Sequence, residues 1–431
     1  MIQAVVERCA GIDVGKQRLA VCVQLGPLTG EAQVEFRDYG TTISELERLR
    51  DWLVSQGVTH AVMESTGSYW KPVFNVLEEK LQVYLANPQD VKNRKGHKTD
   101  KKDSWWLAHL LRHAMIRPSF VPPRGQRELR DLTRRRKKLI AAATAERNRI
   151  DKLLQDANIK LSNVLSDLFG VSGQCMLDAL LEGQAAPEEI ASFARGRAKR
   201  KVPELMAALE NHRMSDPHRR LIRSILQHLQ FLEEQLITLD KDIVAKIREL
   251  GYEKQWELLQ TLPGFQEISA ACVLAEVGPD LKTFPSPQDL SSWAGVCPGN
   301  NRSANKQHSS KPPRGNHWLR ASLTQSAWAA ASTNGCFLKE RFWRLATKKH
   351  VKPPAVMAIA HALLLLVYQV LTTGQPYQER PCPLLDEHQR QRLVRHHVRR
   401  LGKLGVCVRQ NPSAQSAPRR CRKPKQSPRK E

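Results

Sequence analysis

The first 90 residues alternate short apolar runs with amphipathic stretches. Three runs are partly β-branched and bounded by glycine or proline, which predicts strands over residues 4–13, 18–23 and 32–36. The next stretch predicts an amphipathic helix over 42–56, capped by Thr42 with Glu45 completing a capping box. The pattern then predicts a strand over 58–63, a helix over 69–80 and a strand over 81–85.

This order of elements predicts a fold class for the N-terminal part. Three strands followed by helix, strand, helix and strand is the order of an α/β domain of the ribonuclease H or RuvC type. The assignment is an analogy of pattern, because periodicity alone does not fix the order of strands in a sheet.

The remainder of the chain reads as helical. Residues 127–154 and 217–250 are long and charge-rich, and they predict a helical hairpin or coiled-coil arm around a shorter helical insert. A solvated bundle without a partner is the alternative. The seam is predicted from apolar residues spaced three or four apart: Leu221, Ile225, Leu229, Leu232, Leu236 and Leu239.

A mainly α unit follows, over 253–376. Residues 259–275 contain a helix, a Pro-Gly turn and a second helix, which resembles a helix–hairpin–helix whose turn at Gly264 can hold a phosphate. An ordinary helical turn fits the same pattern. We therefore predict a catalytic α/β domain at 1–123, a helical or coiled-coil arm at 124–252, a C-terminal domain at 253–376 and a basic, disordered tail at 377–431.

Charge indicates the kind of partner. The chain has 68 Lys and Arg against 43 Asp and Glu, a formal net charge of +25. Such an excess attracts polyanions and predicts salt-sensitive binding to nucleic acid. An acidic membrane surface is the competing partner, and it requires an amphipathic anchor or a membrane span.

Membrane and secreted classes are disfavoured. The most apolar segment, 355–371, contains His361 and Gln369 and is marginal for a span, so we interpret it as a buried core helix. The N-terminus does not have the pattern of a signal peptide. The nine cysteines are scattered without a CxxC pair, which favours reduced thiols over a disulfide framework or a zinc ribbon. We expect a cytoplasmic protein, associated with the nucleoid.

Four acidic residues form a candidate metal site. Asp13 and Glu64 end apolar strands, where a sheet presents ligands. Asp100 and Asp103 are three residues apart near the start of a predicted helix over 103–113, so they share one helical face. Four hard oxygen donors suit a pair of Mg²⁺ or Mn²⁺ ions.

Each acid also has a purely structural interpretation. Asp100 or Asp103 can be a helix N-cap, Asp13 can cap a turn, and Glu64 can pair with a lysine. The neighbouring cations favour the metal site, because they suit a phosphate backbone and serve no purpose around a structural cap. These cations are Lys92, Arg94, Lys95, Lys98, Lys101 and Lys102, with His97 among them.

Several motifs together resemble one family. GIDVGK, ESTGSYW, the Asn87-Pro88 turn and KTDKKD look like the Asp-Glu-Asp-Asp domain of IS110-type transposases, which is RuvC-like. LPGFQEISAACVLAEVG, LSSWAGVCPGNNRSANK and RGNHWLR resemble the C-terminal transposase domain of the same family. The resemblance extends from about residue 8 to 375.

The resemblance implies a nucleophile. In the family, a serine that follows a Gly-x-x-Pro segment attacks DNA, and the matching residue here is Ser303, with Ser309 and Ser310 as its nearest rivals. A serine hydroxyl can join a phosphate covalently and conserve the bond energy for religation. From the residues alone, Ser303 is one polar loop residue among several. Neighbouring cations can hold the phosphate: Arg302, Lys306, Lys311 and Arg314.

Three positions depart from the family pattern. Arg302 stands where an acidic residue is usual, Asn305 where glycine is usual, and Ser104 where alanine is common. All four acids and the serine are retained, which favours an active enzyme. The changed serine loop puts its geometry and target preference in question.

The resemblance further implies how such an enzyme works. Members are recombinases that act on double-stranded DNA, guided by a non-coding bridge RNA that pairs with target and donor. Carboxylates of one subunit and the serine of another form composite sites, which implies a homo-oligomer, a dimer or tetramer. Sequence specificity then resides mostly in the RNA.

Two other functions are compatible with the same residues. A RuvC-like metal-dependent nuclease or junction resolvase uses the acids to activate water, without a covalent intermediate. A non-catalytic nucleic-acid-binding protein uses only the cations. Substitution of Ser303 distinguishes recombinase from hydrolase, and substitution of the acids distinguishes both from a binding protein.

Overall fold

The computed structural model describes residues 4–65, 67–88, 91, 99–297, 301–303, 306–309, 314–349, 351–379, 394–395 and 398–402. Its strands are β1 Arg8–Val14, β2 Arg18–Leu25, β3 Gln33–Gly40, β4 His60–Glu64, β5 Gln82–Ala86, β6 Asn301–Ser303 and β7 Lys306–Ser309. Its helices are α1 Ile43–Ser55, α2 Trp70–Leu77, α3 Asp100–Arg112, α4 Arg124–Asp156, α5 Leu161–Val164, α6 Val171–Glu182, α7 Pro187–Ser192, α8 Val202–Leu209, α9 Asp216–Glu249, α10 Glu253–Gln260, α11 Glu267–Val277, α12 Pro287–Ala294, α13 His317–Ser332, α14 Phe337–Lys349 and α15 Pro353–Thr373, with a 3₁₀ helix at Gly196–Lys201.

The N-terminal part is an α/β domain, as predicted. Its mixed sheet has the order β3-β2-β1-β4-β5, in which β1, β2 and β3 are antiparallel and β4 and β5 run parallel to β1. One face packs on α1 and α2 through Leu46, Leu49 and Leu77. The other face packs on α3 through Leu107, Leu110 and Leu111. The predicted succession of strands and helices in this part is therefore confirmed.

Two local predictions at the start of the chain are wrong. Residues 4–7 do not extend β1, because the amides of Val5 and Val6 donate to the carbonyl of Arg112 at 2.8 and 3.1 Å. Thr42 is the N-cap of α1 by position, but its side chain makes no capping hydrogen bond. The Glu45 carboxylate instead accepts from the Gly40 amide at 3.4 Å, which ties the helix to the end of β3.

The predicted hairpin of long helices is formed by α4 and α9, which pack together along their length. The seam is rotated by one residue at its start, because Ile222 is fully buried whereas Leu221 is 52% exposed. Leu229, Leu232 and Leu239 of the predicted seam are buried, and Ile243 and Ile247 continue it. The prediction of Leu221 was wrong because two adjacent apolar residues satisfy the same spacing and packing selects one.

The helices from α4 to α15 share one hydrophobic core, which runs from Leu129 to Val370. Within the described residues, α15 is the one helix long and apolar enough to cross a membrane by length and composition. It packs against α13 and α14 and buries Ile359, Leu363 and Val367 completely, as the core-helix interpretation predicts. The cysteines of the described part are free thiols. Most of the predicted tail lies outside the described residues, and 394–395 and 398–402 within it are helical.

Candidate active site

Asp13 and Glu64 lie side by side at the carboxyl ends of two parallel strands. The register pairs Ile12 with Met63, so its continuation by one residue places Asp13 opposite Glu64. Strand alternation puts both on the sheet face that carries Cys9, Gly11 and Val62, which is the face covered by α3. Both side chains are half-buried.

The direction of α3 brings the other two acids to the same end of the sheet. Its last residue, Arg112, accepts a hydrogen bond from Val5, and the Ala108 carbonyl accepts one from the Cys9 thiol at 3.5 Å. Gly11 lies against Ser104, nearer the start of the helix. Because α3 therefore runs antiparallel to β1, its first turn lies toward the end of β1, where Asp13 stands.

The first turn of α3 contains both Asp100 and Asp103, and neither is its N-cap. Thr99 is the N-cap, and its hydroxyl accepts from the Lys102 amide at 3.3 Å. The capping interpretation of the two aspartates is therefore wrong. Their carboxylates gain from the positive end of the helix dipole. Sequence reasoning missed Thr99, although a threonine before an Asp-rich turn is itself a cap signal.

A cation that sequence reasoning also missed stands at this end of the sheet. Arg18, the first residue of β2, pairs with Asp38 of β3. The hydrogen bond and charge of Asp38 raise the pKa of the Arg18 guanidinium above its ordinary value, and the charge of Asp100 adds to this effect. Asp100 is thus within electrostatic range of the β1–β2 hairpin.

The four carboxylates are chemically suitable ligands for a hard cation, but they are not spaced closely enough to bind one. Four carboxylates at one edge of a sheet are the ligands that Mg²⁺ or Mn²⁺ prefers. In the part of the chain that the structure describes, however, no three acidic, histidine or cysteine side chains are grouped closely enough to hold one ion. Of the predicted phosphate-binding cations, Lys101 and Lys102 are exposed on the first turn of α3, whereas Lys92, Arg94, Lys95 and Lys98 lie outside the described residues.

Ser303 lies in a β-hairpin and not in an irregular loop. It is the last residue of β6 and pairs with Lys306, the first residue of β7. Arg302 precedes it in β6, and Ser309 pairs with Asn301 at the other end. Arg314 is exposed where the chain leaves the hairpin, whereas Ser310 and Lys311 lie outside the described residues. The loop assignment failed because β6 and β7 together are too short to show alternation.

The ends of the segment that carries this hairpin are fixed to each other. Gly295 ends α12 in a left-handed conformation, with φ of 69°. A β-carbon on Gly315 would lie 2.4 Å from the Gly295 nitrogen, so the two backbones are in contact. The next amide, of Asn316, donates to the Trp293 carbonyl at 2.9 Å.

Gly264 has a packing role that sequence reasoning did not foresee. It adopts a φ of +81° in the turn between α10 and α11, and a β-carbon there would lie 2.3 Å from the Ser326 carbonyl oxygen of α13. The close approach of two backbones therefore explains the glycine without a phosphate. The helix–hairpin–helix interpretation remains a prediction.

Two transposase family models match successive parts of the chain. Residues 10–159 match the model of the transposase family with the Asp-Glu-Asp-Asp domain of IS110, and residues 256–341 match that of the transposase family IS116/IS110/IS902. The chain is 24% identical over 384 residues to the transposase for insertion sequence element IS1111A of Coxiella burnetii, covering 85% of this chain and 90% of that protein. It is 27% identical over 290 residues to a probable family 20 transposase of Pseudomonas aeruginosa, covering 65% of this chain and 74% of that protein.

A third relative is the uncharacterized 43.6 kDa protein of insertion element IS110 from Streptomyces coelicolor, which is 24% identical over 307 residues, 66% of this chain and 73% of that protein. The two matching families follow one another along the chain, and all four acids fall within the first match and Ser303 within the second. The chain belongs to the IS110 family of transposases.

Proposed function

We propose that this transposase cuts and rejoins double-stranded DNA through a covalent bond between DNA phosphate and Ser303, assisted by Asp13, Glu64, Asp100 and Asp103. The observation that carries the proposal is the arrangement of the acids. Two neighbouring strand ends and the first turn of α3 bring all four to one edge of the sheet. The strand order and the mixed strand directions support a RuvC-like fold for this domain.

The covalent step follows from the chemistry of serine. The Ser303 oxygen forms a bond to phosphorus, the bond from phosphorus to one deoxyribose oxygen breaks, and that oxygen leaves as a hydroxyl. Attack by the hydroxyl of a second strand reverses the step and releases the serine, so the energy of the phosphodiester is retained. In this proposal Arg302 and Lys306, which flank Ser303 in the hairpin strands, and Arg314, which follows the hairpin, hold the phosphate.

A divalent cation bound by the carboxylates would supply charge that holds a phosphate and polarises its oxygens. The acids belong to the sheet domain and Ser303 to the helical unit, so we propose that they act together on DNA as a composite site of a homo-oligomer. In the same proposal a bridge RNA selects target and donor, the protein contacts nucleic-acid backbones, and the protein acts in the cytoplasm at the nucleoid. The net charge of +25 supports the nucleic-acid partners.

The test is the covalent protein–DNA adduct, trapped by denaturation after incubation with DNA, the guide RNA and Mg²⁺. We expect wild type to form it and Ser303→Ala to form none, whereas Ser309→Ala in the same hairpin forms it normally. Asp103→Asn should abolish cleavage, and Asp178→Asn, an exposed acid on α6, should not. Strand cleavage that survives in Ser303→Ala would contradict the serine mechanism and favour a hydrolase that activates water.

A further inference from the structure

Glu276, near the end of α11, is a buried carboxylate that the proposed chemistry does not use. It is 2% exposed. Arg134 of α4 donates to both of its oxygens, from Nε to Oε1 at 2.8 Å and from Nη2 to Oε2 at 2.9 Å. Asn316 donates its Nδ2 to Oε2 at 2.7 Å. The carboxylate therefore joins α4 to Asn316 by short, directional bonds.

Asn316 stands where the hairpin segment re-enters the helical core. Its Oδ1 caps α13 by accepting from the amides of Trp318 and Leu319 at 3.0 and 3.2 Å. Its own amide holds the Trp293 carbonyl, beside the contact between Gly295 and Gly315. The Asn316 side chain thus lies at the base of the segment 295–316, which carries Ser303, and connects that base to Glu276 by a hydrogen bond.

The helix on the other side of Glu276 also holds the sheet domain. Arg127 of α4 donates to Glu78 at 3.1 Å and to Asn75 at 2.9 Å, both at the α2 end of that domain. Gln126 and Arg130, on an adjacent face of α4, donate to the Ala275 carbonyl of α11 at 3.0 and 2.9 Å. Two successive turns of α4 therefore form hydrogen bonds both to the domain of the four acids and to the end of α11.

A buried ion pair of this kind is poorly explained by stability alone. Well-packed apolar residues of similar volume stabilise a core as well or better, because they avoid the cost of removing charges from water. A carboxylate that accepts three directional hydrogen bonds fixes the positions of its donors more narrowly than apolar packing does.

We propose that Glu276 is a positioning residue for the nucleophile: by tying Asn316 to Arg134 it fixes the base of the Ser303 hairpin on α4. This inference rests on the proposed function of Ser303. Glu276 acts through Asn316 and touches no reacting atom.

The test uses the full-length protein with DNA and guide RNA and measures the rate of adduct formation at saturating DNA, DNA affinity and the unfolding temperature. Glu276→Gln keeps the volume but loses the charge. Asn316→Ser keeps an N-cap for α13 and is too short to reach Glu276. We expect both variants to form the adduct roughly 10- to 100-fold more slowly, with DNA affinity changed by less than about twofold, because a small misplacement of a nucleophile costs rate and not binding.

Asp240→Asn is the matched control. It removes the partner of Arg136, another ion pair of α4 that does not touch the hairpin base. We expect it to lower the unfolding temperature and leave the adduct rate at the wild-type value. Wild-type adduct rates in Glu276→Gln and Asn316→Ser would overturn the inference, and so would an equal loss of rate in Asp240→Asn. Adduct formation by Ser303→Ala, measured first, would instead overturn the proposed function.

Discussion

The α-carbon of Gly11 lies so close to Ser104 that a β-carbon on residue 11 would stand 2.2 Å from the Ser104 carbonyl oxygen. The same β-carbon would stand 2.3 Å from the Ala108 nitrogen. Ser104 itself is fully buried, and its hydroxyl donates to the Lys101 carbonyl at 3.0 Å. This contact allows α3 to pack closely on β1 and thereby determines how far Asp100 and Asp103 lie from the sheet edge.

Gly11→Ala should therefore separate α3 from β1. The added methyl group meets backbone, which cannot rotate away, so we expect a loss of about 1–3 kcal/mol in the free energy of unfolding and a larger relative loss of DNA cleavage. Denaturant unfolding and adduct formation measure the two effects. Gly402→Ala is the control, since a β-carbon there meets no heavy atom within 4 Å. Unchanged stability and cleavage in Gly11→Ala would show that α3 is not held in this way.

Arg112 holds the opposite end of α3. It is 3% exposed and donates to the carbonyls of Val6, Glu7 and Gly26 from Nη1, at 3.2, 3.1 and 3.3 Å, and to that of Pro27 from Nη2, at 2.7 Å. Lysine keeps the charge but cannot reproduce the planar fork. We expect Arg112→Lys to destabilise the protein by about 1–3 kcal/mol in denaturant unfolding. The same change at the exposed Arg117 should be neutral, and equal effects at both positions would contradict the prediction.

Glu276 should make stability depend on acid pH. Burial alone raises the pKa of its carboxyl, but the hydrogen bond from Arg134 and the charges of Arg130 and Arg134 outweigh it and hold the pKa below the ordinary value of 4.5. Its contribution is therefore fully present above pH 4.5 and is lost as the pH falls through the lower, folded-state pKa.

The measurement is the difference in unfolding free energy between wild type and Glu276→Gln as a function of pH. We expect about 3 kcal/mol near neutral pH, because the substitution leaves buried arginine charge poorly paired, and a decline on acidification below the ordinary glutamate pKa. A difference that stays constant or grows toward acid pH would mean that Glu276 is not ionised in the folded protein.

Lys101 and Lys102 should contribute to DNA affinity through phosphate and not through sequence. Both are exposed in the first turn of α3 beside the acids. Each substitution by glutamine should weaken binding uniformly across DNA sequences and reduce the slope of log affinity against log salt by about 1. Lys254→Gln, an exposed lysine of α10 outside the candidate site, should leave the slope unchanged. If it lowers the slope equally, the effect is one of net charge alone.

The sequence by itself determined the order of elements in the N-terminal domain, the two long helices and the core helix predicted at 355–371. These depend on local periodicity and on turn residues, which the chain displays directly. Asp13 and Glu64 were recognisable because each stands at the end of an apolar run, and Asp100 and Asp103 because they are three residues apart near the start of a predicted helix. The resemblance to transposases could also be recognised from the sequence, because each of its motifs is a contiguous run of residues.

Tertiary structure alone decided what depends on packing between distant segments. It selected Ile222 over Leu221, because two adjacent residues fit one spacing and only the partner helix distinguishes them. It placed Ser303 in a hairpin whose strands are too short to show alternation. It also joined Glu276 to Arg134 and Asn316, residues whose partners lie 142 and 40 positions away along the chain. No local sequence pattern predicts such pairs, because their interaction energy arises only when folding brings the two residues together and removes them from water.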